Sequence, residues 1–160
     1  AVRAALREML MSNSSLTVQG RAPALAAYPH ARRVGDFLFV SGISSRRANG
    51  TYAGVEPILD VNGQQVGSHR DIGEQTRAVL TNIDAIIRAA GGSLADVVDV
   101  TVFLVDMADY AGMNAVYNAH FDAATGPART TVAVKSLPGK DLLVEIKSVA
   151  WLGEKGTELA

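Results

Sequence analysis

The order of predicted elements indicates an α+β domain, with two helices packed on one face of a mainly antiparallel or mixed sheet. Strand-like runs come first, followed by a long amphipathic helix, a strand, a second helix and a final pair of strands. The chain has 160 residues, of which 48% are hydrophobic and 19% are charged. A chain of this size and composition can bury a real core, so we assign residues 21–155 to a single domain.

The two ends of the chain are predicted to lie outside this domain. The run AVRAALREML could form a short helix, but neither a signal-peptide apolar segment nor a cleavage site follows it. The polar run MSNSSLTVQG comes next. We therefore expect residues 1–20 to be a flexible N-terminal extension and residues 156–160 to be a C-terminal tail.

The first strands are predicted as a hairpin over residues 31–42, ARRVGDFLFVSG, with the turn at Gly35-Asp36. Residues 43–69 are rich in Gly, Asn, Ser and Pro and are expected to form a long, partly structured loop. The run TYAGVEPILDV within it could hold a strand, which Pro57 would confine to an edge or a bend. Loops of this length are often functional.

The clearest predicted helix covers residues 70–92. Six residues spaced by three and four share its core face: Ile72, Thr76, Val79, Ile83, Ile86 and Ala90. Gly91-Gly92 is expected to end the helix. The β-branched, apolar run DVVDVTVFLVDM at residues 96–107 is typical of a buried strand.

The remaining elements are a second helix and two strands. The helix is predicted over residues 109–124, with five residues toward the core: Tyr110, Met113, Val116, Tyr117 and Phe121. The strands are predicted at 129–137 and 142–152, flanking the turn PGKD. Alternation along the last strand places Leu143, Glu145 and Lys147 on one face and Val144, Ile146 and Ser148 on the other.

Composition excludes several classes of function. Fifteen Lys and Arg against sixteen Asp and Glu give a formal net charge of -1, so we expect no nucleic-acid or membrane partner. No apolar run approaches the ~18–20 residues that span a bilayer. The chain has no cysteine, which rules out disulfides, thiolate zinc sites and a cysteine nucleophile, and a cytoplasmic location is expected.

Standard catalytic and cofactor motifs are missing. His30, His69 and His120 lack metal-ligand spacing, so we expect no metal site. Ser41-Gly42 is not part of a GxSxG nucleophile elbow. The run GGSLAD near residue 91 stands between a helix and a strand, the reverse of the order in a phosphate-binding loop, so nucleotide binding is not expected.

Two charged residues within predicted strands are the remaining candidates for a functional site. Arg129 opens a strand within GPARTTVAV, and Glu145 lies between Val144 and Ile146. One interpretation is a surface ion pair of Glu145 with Lys147 or Arg129, worth ~0–1 kcal/mol. The other is a guanidinium that binds a ligand carboxylate beside an acid that transfers protons. The spacing alone leaves both open.

The sequence resembles the Rid family, also called the YjgF/UK family of imine deaminases, over residues 26–152. The resemblance rests on YPHARRVGDFLFVSG, on the block from VLTNIDAIIRAAGG to VYNAHF, on GPARTTVAV and on LLVEIKSVA. It implies a chorismate-mutase-like fold and a homotrimer with a barrel-like core and clefts between subunits. The apolar strands are compatible with a sheet face buried against copies of the chain.

The resemblance also implies a site. Arg129 would bind the substrate carboxylate, and Glu145 would position or activate the hydrolytic water. Tyr28 would lie near the cleft, and Ser41 and Gly42 would face the substrate.

Further residues are implied with less definite roles. Asn114 matches a recurrent asparagine of structural type. Thr131 stands where the family often has a cysteine, and it could donate a hydrogen bond to the substrate. Four residues are candidates for binding a second carboxylate, or are solvated surface groups: Arg46, Arg47, His30 and His69.

Within the family, the closest likeness is to 2-aminomuconate deaminases of aromatic-compound degradation. It rests on YPHARR, GDFLFVSGISSRR, PARTTVAV and the longer loop at 46–69. The implied reaction converts 2-aminomuconate to 4-oxalocrotonate and ammonia, with no cofactor. The alternatives are a broad-specificity 2-imino acid hydrolase of amino-acid metabolism, a non-catalytic ligand-responsive regulatory protein, and the endoribonuclease activity attributed to some relatives.

Overall fold

Eight strands and two α-helices lie within residues 13–153, the part of the chain that the computed structural model describes. The strands are β1 (Ser14–Leu16), β2 (Ala31–Val34), β3 (Phe37–Ile43), β4 (Val55–Leu59), β5 (Gln65–Arg70), β6 (Val97–Leu104), β7 (Ala128–Ala133) and β8 (Val144–Trp151). The helices are α1 (Ile72–Ala89) and α2 (Tyr110–Tyr117), with short 3-10 turns at Leu94–Asp96 and Met107–Asp109.

Six strands form one mixed sheet in the order β1-β2-β3-β8-β6-β7. Neighbouring strands are antiparallel except β6 and β7, which are parallel and are joined through α2. Strands β4 and β5 form a separate hairpin. The predicted fold class, two helices on one face of a mixed sheet, is confirmed.

The core lies between α1, α2 and one face of the sheet. As the periodicity predicted, Thr76, Val79, Ile83 and Ile86 are buried, and they lie among Val100, Val102, Leu104, Val144 and Ile146 of the sheet. Helix α1 begins where the Asp71 carboxylate accepts the amide of Glu74 at 2.8 Å. It ends before Gly91, whose φ of 90° favours glycine.

Helix α2 is shorter than the sequence predicted. It ends at Tyr117 rather than near residue 124. The backbone that follows tightens into a turn, in which the His120 amide donates to the Tyr117 carbonyl at 3.0 Å. Met113 and Tyr117 are buried as expected, whereas Tyr110 is 40% exposed. The prediction that Tyr110 faces the core is therefore wrong.

The segment predicted as a partly structured loop contains a regular hairpin. Strands β4 and β5 pair from Val55↔Arg70 to Leu59↔Gln65, with a turn in which Asp60 accepts the amides of Asn62 and Gln64 at 2.8 Å. Pro57 is tolerated because a two-stranded sheet has only edge strands. Strand β5 could not be predicted from the sequence, because its residues QVGSHR are mostly polar and are largely exposed.

Strand β1 lies inside the segment that was expected to be flexible. Ser14–Leu16 pairs antiparallel with β2, and Leu16 and Val18 pack against the core. For this strand the expectation is wrong, because two alternating apolar side chains reach the core from one side. Residues 1–12 and 156–160 lie outside the described residues, and the boundaries at 21 and 155 stay predictions.

Candidate active site

Arg129 projects from the edge strand β7 toward α2. It is in register with the buried Val100, so its side chain is on the helix-covered face of the sheet. Its Nη1 donates to Asn114 Oδ1 at 2.8 Å, and its Nη2 donates to the Tyr110 hydroxyl at 3.2 Å. The guanidinium is thus held by two neutral acceptors.

Two aromatic rings complete the surroundings of this guanidinium. Its Cζ lies 4.5 Å from the ring centroid of Tyr117 and 5.8 Å from that of Tyr110, within the range of cation–π attraction. Residues 110, 114 and 117 share one face of α2, since they are spaced by four and three. We call Arg129, Tyr110, Asn114, Tyr117 and Thr131 the Arg129 cluster.

Arg129 makes no ion pair within the described residues, where the one pair within 4 Å is Arg88–Asp84. The interpretation of Arg129 as the partner of Glu145 is therefore wrong. Thr131 is two residues farther along the same face of β7, in register with Val102. Its Oγ1 is buried and has no hydrogen-bond partner among residues 13–153.

Glu145 lies on the opposite face of the sheet. It is in register with Phe103, and its neighbours Val144 and Ile146 face the core as predicted. The carboxylate is half-buried and takes part in no hydrogen bond or ion pair among residues 13–153. Burial raises the pKa of the Glu145 carboxyl above its ordinary value, because desolvation penalises the charged form.

Gly42 makes room for the Glu145 carboxyl group. It lies in the irregular part of β3 between Val40 and Ile43. A Cβ at this position would collide with the Glu145 carboxylate oxygen and come within 3.0 Å of its Cδ. The adjacent Ser41 is fixed by its Oγ, which donates to the Pro29 carbonyl at 2.7 Å.

A pocket opens in front of Glu145, and we call it the Glu145 pocket. The predicted site residues that line it are Tyr28, His30, Ser41, Gly42, Arg46 and Glu145. Arg21, Asn82, Pro138 and Leu142 add to its walls. The structure therefore brings six of the predicted residues together, while Arg129, Thr131, Arg47 and His69 lie outside this pocket.

Comparisons with known proteins decide the family. Residues 19–152 match the model of the endoribonuclease L-PSP family. The chain belongs to this family, also called the Rid or YjgF family. A RutC family protein of Pyrococcus horikoshii is 44% identical over 127 residues, covering 79% of this chain and 88% of the relative. The 2-iminobutanoate/2-iminopropanoate deaminase of Escherichia coli K12 is 45% identical over 82 residues, covering 50% of this chain and 63% of the enzyme.

Solved Rid-family structures have the same fold. Yeast Mmf1 gives a TM-score of 0.71 at 28% identity, covering 89% of this chain and 100% of the other. Escherichia coli TdcF with bound serine gives 0.68 at 30% identity, covering 88% of this chain and 99% of the other. These comparisons support the predicted family and fold, and closeness to 2-aminomuconate deaminase stays a prediction.

His30 of this Rid-family chain is a structural residue. It is 6% exposed, its Nδ1 accepts the Val18 amide at 2.9 Å, and its Nε2 donates to the Ala22 carbonyl at 2.9 Å. Both ring nitrogens are thus occupied, and the prediction that His30 binds substrate is not supported by this geometry. His69, the other candidate histidine, is in β5 and does not line the Glu145 pocket.

Sequence reasoning missed three supporting residues. Arg21 Nη1 donates to Asn82 Oδ1 at 3.0 Å at one end of the Glu145 pocket. Gln75, fully buried in α1, donates to the Asp141 carbonyl and accepts the Leu143 amide, both at 2.9 Å. It fixes the connection that leads into β8 and Glu145. A polar residue at a core position of the predicted helix was the available signal.

Among residues 13–153, no group of three or more His, Cys, Asp or Glu side chains could hold a metal ion. In the same part of the chain, neither helix has the length and apolarity needed to cross a membrane.

Proposed function

We propose that this Rid-family protein hydrolyses imines or enamines of carboxylic acids and releases ammonia. The observation that carries the proposal is a pair of ionisable groups that have no oppositely charged partner among residues 13–153. Arg129 is a preoriented guanidinium without a carboxylate partner, and Glu145 is a half-buried carboxyl group with a raised pKa and no partner in the described residues. Relatives named as 2-iminobutanoate/2-iminopropanoate deaminases support the reaction class.

The proposed site lies between two copies of the chain. Arg129 and Glu145 are on opposite faces of one sheet, so they contact one small substrate only if they come from different copies. The face that carries Glu145 also exposes Val34, Phe37 and Phe39 of neighbouring strands. Exposed apolar patches of this kind mark interaction surfaces, and we assign this face to the homotrimer that the family resemblance implies.

In the proposed mechanism, Arg129 binds the carboxylate next to the imine carbon. Asn114 and Tyr110 use two of its five N–H donors, which leaves a bidentate donor pair for the ligand. Glu145 takes a proton from a water molecule as the oxygen attacks the imine carbon. The proton then passes to the nitrogen, which gives a carbinolamine. Glu145 next takes the proton of the carbinolamine hydroxyl group and passes it to the amino group, so that the C–N bond breaks and a ketone and ammonia form. A raised pKa suits Glu145 to both transfers.

We propose 2-aminomuconate as the substrate, with 4-oxalocrotonate as the product. This enamine first tautomerises to the 2-imine, whose carbon is electrophilic. Its second carboxylate needs another cation, and Arg46 and Arg21 line the Glu145 pocket. Arg47 lies outside that pocket, with its Nη1 donating to the Tyr52 carbonyl at 3.0 Å. We therefore place Arg46, rather than Arg47, at the second carboxylate.

A broad-specificity 2-imino acid hydrolase is the second candidate, favoured by the names of the Escherichia coli relatives. The test measures ammonia release from enzymatically generated 2-aminomuconate, 2-iminobutanoate and 2-iminopropanoate. A kcat/KM at least about tenfold higher for 2-aminomuconate, lost in Arg46→Ala but kept in Arg47→Ala, supports the dicarboxylate proposal. Equal turnover of all three supports the second candidate. Binding of 2-oxo acids without turnover of any imine would indicate a regulatory protein.

A further inference from the structure

A second, larger cleft adjoins the Glu145 pocket. It has a volume of about 510 Å³ and lies between α1 and the loop at residues 45–53. Among residues 13–153, four guanidinium groups line it, from Arg21, Arg46, Arg47 and Arg77, whereas Glu74 is the single acidic residue in its lining. The cleft therefore carries an excess of three positive charges. The proposed mechanism uses one of these residues, Arg46, for the second carboxylate of the substrate, and it gives no function to Arg77 or to the space between α1 and the loop.

The four arginines of the cleft have no carboxylate within ion-pair distance among residues 13–153. Three of them donate to uncharged acceptors: Arg21 to Asn82 Oδ1, Arg46 to the Pro23 carbonyl, and Arg47 to the Tyr52 carbonyl. None forms an ion pair within residues 13–153. Like charges held close together repel one another, and an anion relieves that repulsion.

A buried hydroxyl group at this cleft points to a missing hydrogen-bond partner. Ser45 lines the cleft and is 1% exposed, and its buried Oγ has no hydrogen-bond partner among residues 13–153. Leaving a buried polar group unsatisfied costs free energy, which a ligand oxygen can recover. Ala48, Ala53 and Ala78 also line the cleft, and their small side chains leave space beside the arginines.

We propose that this cleft binds a small molecule with two or more anionic oxyacid groups, either phosphates or carboxylates. Planar guanidinium groups bind both kinds of group in bidentate geometry. Within the described part of the chain, the lining contains no aromatic side chain on which a nucleic-acid base could stack, which favours a small anion over RNA. Arg21 and Arg46 line this cleft and the Glu145 pocket alike, so an anion bound here lies next to the substrate.

The test is direct binding, measured by calorimetry at low ionic strength with pyrophosphate and with citrate as probes. No substrate turnover is involved, so the result is independent of the proposed deaminase reaction. Arg77→Gln and Arg47→Gln each remove one charge from the cleft. Arg88→Gln removes one charge from the same helix outside the cleft and is the matched control.

We expect saturable binding of at least one probe, with the tighter probe identifying the phosphate or the carboxylate class. Binding should weaken about tenfold in Arg77→Gln and in Arg47→Gln, and less than about twofold in Arg88→Gln. Circular dichroism verifies that each variant is folded. Absence of saturable binding for both probes, or equal weakening in Arg88→Gln, would overturn the proposal.

Discussion

Arg129 and Glu145 belong to strands on either side of β6, and their side chains lie on opposite faces of the sheet. Arg129 is in register with the buried Val100, whereas Glu145 is in register with Phe103. Two strand spacings separate them, about 10 Å across the sheet. A carboxylate and its adjacent imine carbon are far closer than this. One chain therefore presents two half-sites, and the proposed reaction requires that they meet between copies.

Arg129 is expected to be essential for turnover. Replacement by Ala should lower kcat/KM about 100-fold or more, because the site loses a charge-assisted, bidentate contact with the substrate. Arg129→Lys should recover little of the loss, since an ammonium cannot match this planar geometry. The measurement is steady-state ammonia release, with Arg88→Ala as a control, because Arg88 pairs with Asp84 and does not line the Glu145 pocket. Undiminished turnover in Arg129→Ala would contradict the mechanism.

The activity should depend on the ionisation of Glu145. As a base the group must be deprotonated, and burial raises its pKa. The acidic limb of kcat/KM should therefore lie above the ordinary value of a glutamic acid, about 4.3. Glu145→Gln should lower kcat about 100-fold and abolish this limb. A pH–rate profile of both proteins checks the prediction, and an acidic limb that persists in the variant would assign it to another group.

The same carboxyl group is expected to reduce stability at neutral pH. A pKa raised on folding means that the native state binds the proton more tightly than the unfolded state does. The stabilisation that this proton gives the native state is complete at low pH and is lost as the pH rises through the native pKa. Glu145→Gln, which cannot ionise, should therefore be more stable than the native protein at pH 7. The difference should shrink as the pH falls below 4. Thermal unfolding across this range measures it, and a destabilised variant at pH 7 would contradict the desolvation argument.

The sequence predicted the parts of the fold that depend on strong periodicity. The α1 face at Val79 and Ile83 and the alternation around Glu145 were both right, because burial on one face leaves a clear pattern. Strand β5 could not be predicted in this way, since both of its faces are largely exposed. The early end of α2 could not be predicted, because the apolar spacing continues to Phe121 while the backbone already tightens into a turn at His120.

The candidate site was predictable in its residue types but not in its arrangement. Arg129 and Glu145 were identified from their charge within apolar strands and from the family resemblance. Their separation depends on strand order, because β6 inserts between β7 and β8 in the sheet. Residue spacing does not encode that insertion. Tyr110 is predicted on the core side of the second helix, yet its hydroxyl accepts a hydrogen bond from Arg129 at the surface.

Gly42 is expected to be required for the position of Glu145. In Gly42→Ala the new Cβ would displace the carboxyl group, so kcat should fall about tenfold or more. The fold should be kept with little loss of stability, because the displaced atoms are the end of a flexible, half-buried side chain. Backbone strain is not the cause, because the φ of Gly42 is not positive. Gly67→Ala is the matched control, since its Cβ would meet nothing closer than 3.6 Å. Full activity in Gly42→Ala would show that the carboxyl group can move without loss.

Mixing two inactive variants tests whether the site is shared between copies. Arg129→Ala and Glu145→Gln chains each lack one half-site but keep the other. If a site takes Arg129 from one copy and Glu145 from its neighbour, co-expression at equal levels should restore about one quarter of the native activity, because about one quarter of the interfaces combine the two intact half-sites. Separately purified variants mixed without exchange of subunits should stay inactive and serve as the control. Size-exclusion chromatography with light scattering measures the oligomeric state in parallel. A trimeric mixture without recovered activity would place both groups in the site of a single chain, which the register of β6 with β7 and β8 argues against.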